Sequence, residues 1–276
     1  MNETQRVIKY VAIAFGIFLA INIVFAIAFG LFGLAKVTGI IEPDTLNYIS
    51  DTYEINESIN KLKVDLEISE FEIKSGENFK IEVTNVSDSF RFSTNNNILE
   101  IKDEEIRKGW FNLDIKSPKI VLYVPQDTIF EDVNIETGVG KAKIGEIQTG
   151  IFTLDLGIGT FFADKIIVTN SAEINGGVGK TEIKYGEFNN LNLETGVGEC
   201  IINTKLTGNT KLECGIGRLE INLLDEMDKY RISTETGIGV VTINNQKVSN
   251  ESIQGTGDTK IKVNGGIGSV EIRTKE

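Results

Sequence analysis

Apolar and polar positions follow two different regimes along this chain. From Tyr10 to Ala35 the apolar residues are continuous, reading YVAIAFGIFLAINIVFAIAFGLFGLA, 26 residues with no charge and only Asn22 as a strongly polar interruption. At about 1.5 Å per residue such a run spans the roughly 30 Å hydrocarbon core of a bilayer with some tilt, which predicts a transmembrane helix over 10–35. A buried core helix is the bland alternative, set aside because the run is long and apolar all round. Gly33 and Ala35 before Lys36 also allow a cleaved signal peptide. The run is about twice the usual 7–15-residue core of such a peptide, which favours an uncleaved anchor. Arg6 and Lys9 precede the run and Glu42, Asp44, Asp51 and Glu54 follow it. That asymmetry places residues 1–9 in the cytoplasm and the body outside.

Beyond the anchor, short alternating runs rich in Val, Ile, Thr and Phe predict strands. A second period lies on top of the alternation. Glycine, then Val or Ile, then glycine begins at Gly138, Gly157, Gly177, Gly196, Gly215, Gly237 and Gly266, at intervals of 19, 20, 19, 19, 22 and 29 residues. A fixed period near twenty is the signature of a solenoid.

Alignment on the first glycine gives the columns of the coil. Three positions before it stand Ile135, Leu154, Ile174, Leu193, Leu212, Thr234 and Val263, and one position after it stand Val139, Ile158, Val178, Val197, Ile216, Ile238 and Ile267. Both columns have odd parity and are predicted to share the core face, which puts Val197 inside. Further on the apolar columns move to even offsets: Ala142, Phe161, Thr181, Cys200, Leu219, Val241 and Val270, then Ile144, Ala163, Ile183, Ile202, Ile221, Ile243 and Ile272. The parity change predicts a corner or bulge at the second glycine, where a residue without Cβ fits. A looser column follows at Ile147, Ile166, Phe188, Leu206 and Leu224. Each repeat is one coil with roughly three sides. It cannot bury its apolar face alone, so coils must stack about 4.8 Å apart with like residues in ladders. Right-handed winding is the default for parallel crossovers.

The same spacing occurs earlier, at Leu62, Val64, Leu66, Ile68, Phe71 and Ile73, with Glu67 and Ser69 at the glycine positions. This predicts a degenerate first coil. Residues 78–125 alternate without the period and are predicted to form antiparallel hairpins over the solenoid's open end, protecting an edge that would otherwise recruit other strands. Residues 244–258 read as a polar loop, and 36–58 as a stalk.

Composition narrows the chemistry. Glycine is abundant at 28, proline scarce at 3, and there is no histidine, which removes the commonest general base and metal ligand. Net charge is −12, and without the first 36 residues 25 basic face 39 acidic side chains, a surface that repels nucleic acid and anionic lipid. Gly176–Thr181, GGVGKT, imitates a phosphate-binding loop, but Ile174 stands where that motif needs its leading glycine, so no nucleotide is expected. No glycine pair is followed by the third glycine of a dinucleotide fingerprint. Cys200 and Cys214 sit in different columns and are read as two buried thiols in preference to a disulfide. Without a histidine to activate it, neither is a candidate nucleophile.

Glu136, Asp155, Asn175, Glu194, Glu213, Glu235 and Asn264 form an outward column two positions before the first glycine, with Glu194, Glu213 and Glu235 expected on successive coils. Polysaccharide-cleaving β-helices use carboxylates on one face, so a carbohydrate-active enzyme is one reading. Trp110 is the one tryptophan available as a sugar platform, and a solvated face is the simpler reading. A flat ladder offers too few converging oxygens for calcium, so at most weak binding is expected. No catalytic, cofactor-binding or metal-binding residue is expected.

The strand pattern KVDLEISEFEI, the proline-ended strand IVLYVP at Ile120–Pro125, repeats such as LNLETGVGECII and the ending GGIGSVEI at Gly265–Ile272 resemble the bacterial putative-adhesin family of domains of unknown function. The resemblance covers about residues 55–273. It implies a β-solenoid on the outer face of a membrane and, in some relatives, association with envelope-stress signalling; it supplies no catalytic residues. Residues 1–9 are thus expected to be cytoplasmic, 10–35 transmembrane, 36–58 a stalk and 59–276 an all-β, single-stranded β-helix-like solenoid, with capping strands at 78–125 and glycine-marked repeats at 126–276. The expected function is that of a non-enzymatic surface or envelope-stress scaffold binding a cell-envelope protein or a wall polymer. A carbohydrate-active enzyme and a purely structural spacer are the alternatives.

Overall fold

A computed structural model describes residues 48–103 and 117–275. The expected anchor over 10–35, the cytoplasmic residues before it and Trp110 lie outside the described residues. Among the described residues no helix is long and apolar enough to cross a membrane.

The described chain is all β apart from one short 3-10 turn at Met227–Lys229. Strands β1 (Tyr48–Ile55), β2 (Lys61–Gly76), β3 (Phe79–Ser87), β4 (Phe90–Asn95), β5 (Ile98–Asp103) and β6 (Lys119–Pro125) lead into β7 (Ile129–Asn189), a continuous extended run through successive coils. There follow β8 (Leu191–Thr207), β9 (Asn209–Glu226), β10 (Tyr230–Glu235), β11 (Ile238–Ile243), β12 (Gln246–Lys247), β13 (Ser252–Gln254), β14 (Thr259–Asn264) and β15 (Ile267–Lys275). Neighbouring coils pair in parallel and in phase, with Val178 opposite Val197 and Val197 opposite Ile216. The ladders deduced from the period therefore exist as hydrogen-bonded rungs.

The degenerate first coil is also present: β2 pairs in parallel with β7, setting Ile68 against Val139 and Ser69 against Gly140. The cap over its open side is more than a set of hairpins. Strands β5 and β6 pair with β2 in parallel and extend the stack, β3 and β4 run antiparallel to β6 and β5, and β1 runs antiparallel to β3. Tyr48–Ile55, in the segment read as stalk, is a strand of this sheet. At the other end, the expected polar loop 244–258 contributes β12 and β13, which run antiparallel to β11 and β10.

The coils do not stack in the order of the chain. Strands β14 and β15, which follow β10 and β11 in the chain, lie between β9 and that pair: Ile267 is opposite Ile216 on one side and Ile238 on the other. The final repeat is thus inserted between the fifth and sixth, and Gly237 begins the outermost glycine coil.

The core holds four of the expected columns. Ile135, Leu154, Ile174, Leu193 and Leu212 are buried, as are Phe161, Cys200, Leu219, Ile144, Ile183 and Ile202. The looser column divides: Phe188 stacks on Leu206, whereas Leu223, buried in place of Leu224, stacks on Thr204, which stacks on Gly186. One column is overturned. Val139, Ile158, Val178, Val197, Ile216 and Ile267 are 45–58% exposed and Ile238 81%. The parity of the chain reverses at the first glycine, not the second, so these side chains point out of the solenoid.

Candidate functional site

The corner around each glycine pair sets that column's direction. The second glycines, Gly140, Gly159, Gly179, Gly198, Gly217 and Gly268, have φ between 136° and 151°, a region that side-chain-bearing L residues seldom enter. A Cβ on Gly179 would overlap the carbonyl oxygen of Gly159, and one on Gly198 that of Gly179. The glycines are therefore required twice, for the bend and for the stacking distance. Ser69 escapes because β5 ends opposite Leu66 and β6 begins opposite Glu70, so no described strand pairs with β2 at Ser69 on that side. Just before the corner, Thr195 Oγ1 accepts from the Gly215 amide at 3.3 Å, tying two coils where the ladder bends.

The result is a straight ridge of β-branched side chains in the spatial order Val139, Ile158, Val178, Val197, Ile216, Ile267, Ile238. Six intervals of about 4.8 Å make it on the order of 29 Å long. Roughly half of each side chain is bare. By the area equivalent of burying a Val or Ile, the ridge exposes on the order of 400 Å², within the 300–600 Å² range of the largest patches on monomers, which are often functional.

Two charged columns flank it. On one side stand Glu136, Asp155, Asn175, Glu194, Glu213, Asn264 and Glu235 in spatial order, so the expected succession of Glu194, Glu213 and Glu235 is corrected: the inserted final coil places Asn264 between the last two. Asn264 donates to Glu213 at 2.7 Å and Asn175 to Asp155 at 2.7 Å, and Lys211 and Lys262 lie 2.8 Å from Glu213 and Glu235. Hydrogen bonds from Lys211 and Asn264 hold the Glu213 carboxyl below the usual range. Interleaved amides and lysines thus offset the repulsion along the column. Among the described residues no three Asp, Glu or Cys side chains are grouped to hold a metal ion.

The other flank carries Lys141, Thr160, Lys180, Glu199, Arg218 and Ser269. Lys180 and Arg218 each lie 3.5 Å from Glu199. Arg218 and Arg273 also bridge β9 to β15 through Glu220 and Glu271, at 2.5 to 3.3 Å. Burial acts to raise the Glu220 pKa, but bonds from Asn222 and Arg273 and the two arginine charges outweigh it and lower it.

The other features singled out in the sequence are structural here. Gly176–Thr181 forms rungs against Thr195–Cys200, with Val178 on the ridge and Lys180 paired to Glu182 at 3.2 Å. Cys200 and Cys214 are free and buried, and burial chiefly pushes the Cys200 thiol up to about 12. The sequence pattern missed the ridge altogether. The signal that could have found it is a column that is Val or Ile at all seven positions, whereas each core column admits at least one Leu, Phe, Thr, Cys or Ala.

This glycine-cornered stack defines a class of β-solenoid-like domain. The chain belongs to the Toastrack DUF4097 family, whose model matches residues 59–263. Solved structures it resembles include a putative cell adhesion protein from Clostridium sporogenes, 17% identical over 83% of this chain and 100% of that one, with a TM-score of 0.34. A putative adhesin from Bacteroides fragilis is 13% identical over 83% and 98%, TM-score 0.38, and a putative lipid binding protein from Parabacteroides distasonis 16% identical over 82% and 98%, TM-score 0.32. No curated protein matches the chain.

Proposed function

We propose that this protein is a non-enzymatic binding scaffold, held on the outer face of a membrane by the apolar segment 10–35, that engages a macromolecular partner along the Val/Ile ridge. The observation that carries this reading is the ridge itself: seven β-branched side chains bare on a rigid hydrogen-bonded stack. Such a surface offers length and shape, not an enclosed reaction space. Ordering costs are small because the backbone beneath is already fixed by neighbouring coils. The charged columns on either side would set orientation and suppress wrong partners.

The test is a photocrosslinking amino acid at Val197, with one at Lys205 as the control, in the full chain on intact cells. Adducts specific to Val197 support the reading; identical adducts at both positions, or none, overturn it. Topology is tested separately with a reporter active only in the cytoplasm, fused to the C-terminus. Activity there would refute the outward placement.

A further inference from the structure

We infer that the ridge is the self-association surface of this protein, pairing two copies side by side with their solenoid axes parallel. The occupant is a second copy because its repeat matches. A ridge with one side chain every ~4.8 Å meets another of the same spacing rung against rung along its whole length, as facing columns do in a dry zipper. An α-helix, with a ~5.4 Å pitch, drifts out of step by about half a rung over four turns. An anionic lipid surface is repelled by the acidic flank.

Charge then selects the orientation. A two-fold axis along the ridge sets the acidic column of one copy against the Lys141, Lys180 and Arg218 column of the other at equal heights: Glu136 meets Lys141, Asn175 meets Lys180, Glu213 meets Arg218. Glu194 meets Glu199, whose charge is already compensated by Lys180 and Arg218. An antiparallel pair would instead oppose carboxylates to carboxylates. The parallel pair also puts both N-termini at one end, as two copies anchored in one membrane require, and in that respect the inference rests on the reading above. The ridge alone buries less than the ~1,200 Å² of a stable soluble dimer, and co-anchoring supplies the missing affinity through effective concentration.

The experiment uses the full chain, in membrane vesicles and in detergent, with Val139→Cys, Val197→Cys and Ile267→Cys introduced singly and wild type reporting the background of the buried native thiols. Mild oxidation is expected to link each variant to itself, since the axis brings every rung opposite its own copy, while Lys205→Cys stays monomeric. Lys141→Glu is expected to weaken pairing about tenfold, two symmetric surface pairs being turned from attraction to repulsion, and adding Glu136→Lys to restore it. Absence of self-linked dimers in vesicles at all three rungs overturns the inference. So does Val139→Cys linking only to an added Ile238→Cys variant when the two are mixed, since Ile238 is the last rung of the ridge and an antiparallel pair sets first against last. Self-linking that persists while the topology reporter is active in the cytoplasm would sustain the pairing and sink the outward placement.

Discussion

Asn264 donates its side-chain amide to Glu213 at 2.7 Å across 51 residues of chain, and Glu235, far nearer to Asn264 in sequence, lies on its other side. This one amide marks the insertion of the last coil between two earlier ones. The outermost coil therefore has no proper seat until β14 and β15 have arrived. Deleting 259–276 removes the buried Ile261, Val263, Val270 and Ile272 and, among the described residues, the only parallel partners of β10 and β11. The loss is several kcal/mol, and the melting temperature of the full chain in detergent is expected to fall by at least about 10 °C. A melt within about 3 °C of wild type would show that the coil order is not needed.

The ridge and the core separate cleanly in mutational cost. Val197→Asp, on a side chain 45% exposed, is expected to cost under about 1 kcal/mol in denaturant unfolding. Leu193→Ala, four residues earlier and fully buried, should cost about 2–5 kcal/mol. Equal costs would mean that the ridge points inward after all.

At the corner, Gly179→Ala forces a side chain into φ +142° and onto the Gly159 carbonyl. A loss of more than about 3 kcal/mol is expected, combining backbone strain with a broken rung. Ser69→Ala, at the equivalent position where no described strand pairs on that side, should cost no more than about 1 kcal/mol, and the pair of unfolding curves checks both values.

Glu220 titrates below an ordinary glutamate because Asn222, Arg273 and Arg218 hold its charged form against the effect of burial. A folded-state pKa below the unfolded one adds stability above the unfolded value, and that stability is lost as pH falls through the folded value. Melting temperature is therefore expected to drop on acidification below about pH 4.3, and Glu220→Gln to flatten that limb while lowering stability at neutral pH. An unchanged acid limb would remove Glu220 from the account.

Calcium is the remaining test of the acidic column. With Glu213 and Asp155 already bonded to Asn264 and Asn175, the oxygens point to neighbours and not to a shared centre. Titration to 1 mM, on the order of the weakest extracellular sites, is expected to shift melting by less than about 2 °C. A rise above about 10 °C abolished by Glu213→Gln would establish a metal site instead.

What the sequence by itself determined is the stack. A period near twenty, with apolar columns in phase, specifies parallel ladders because like residues must pile up to bury a face that one coil cannot bury alone. Leu193, Cys200 and Ile202 were legible as core for that reason. What only the tertiary structure decided is the side on which Val197 and its column lie, because a two-residue alternation cannot tell at which glycine the chain bends, and either choice preserves every spacing. The coil order was equally hidden. Repeats that share columns can stack in any sequence, and the choice that seats Ile267 between Ile216 and Ile238 is made by contacts such as Asn264 with Glu213 and Arg273 with Glu220, between residues too distant in the chain for any local pattern to record.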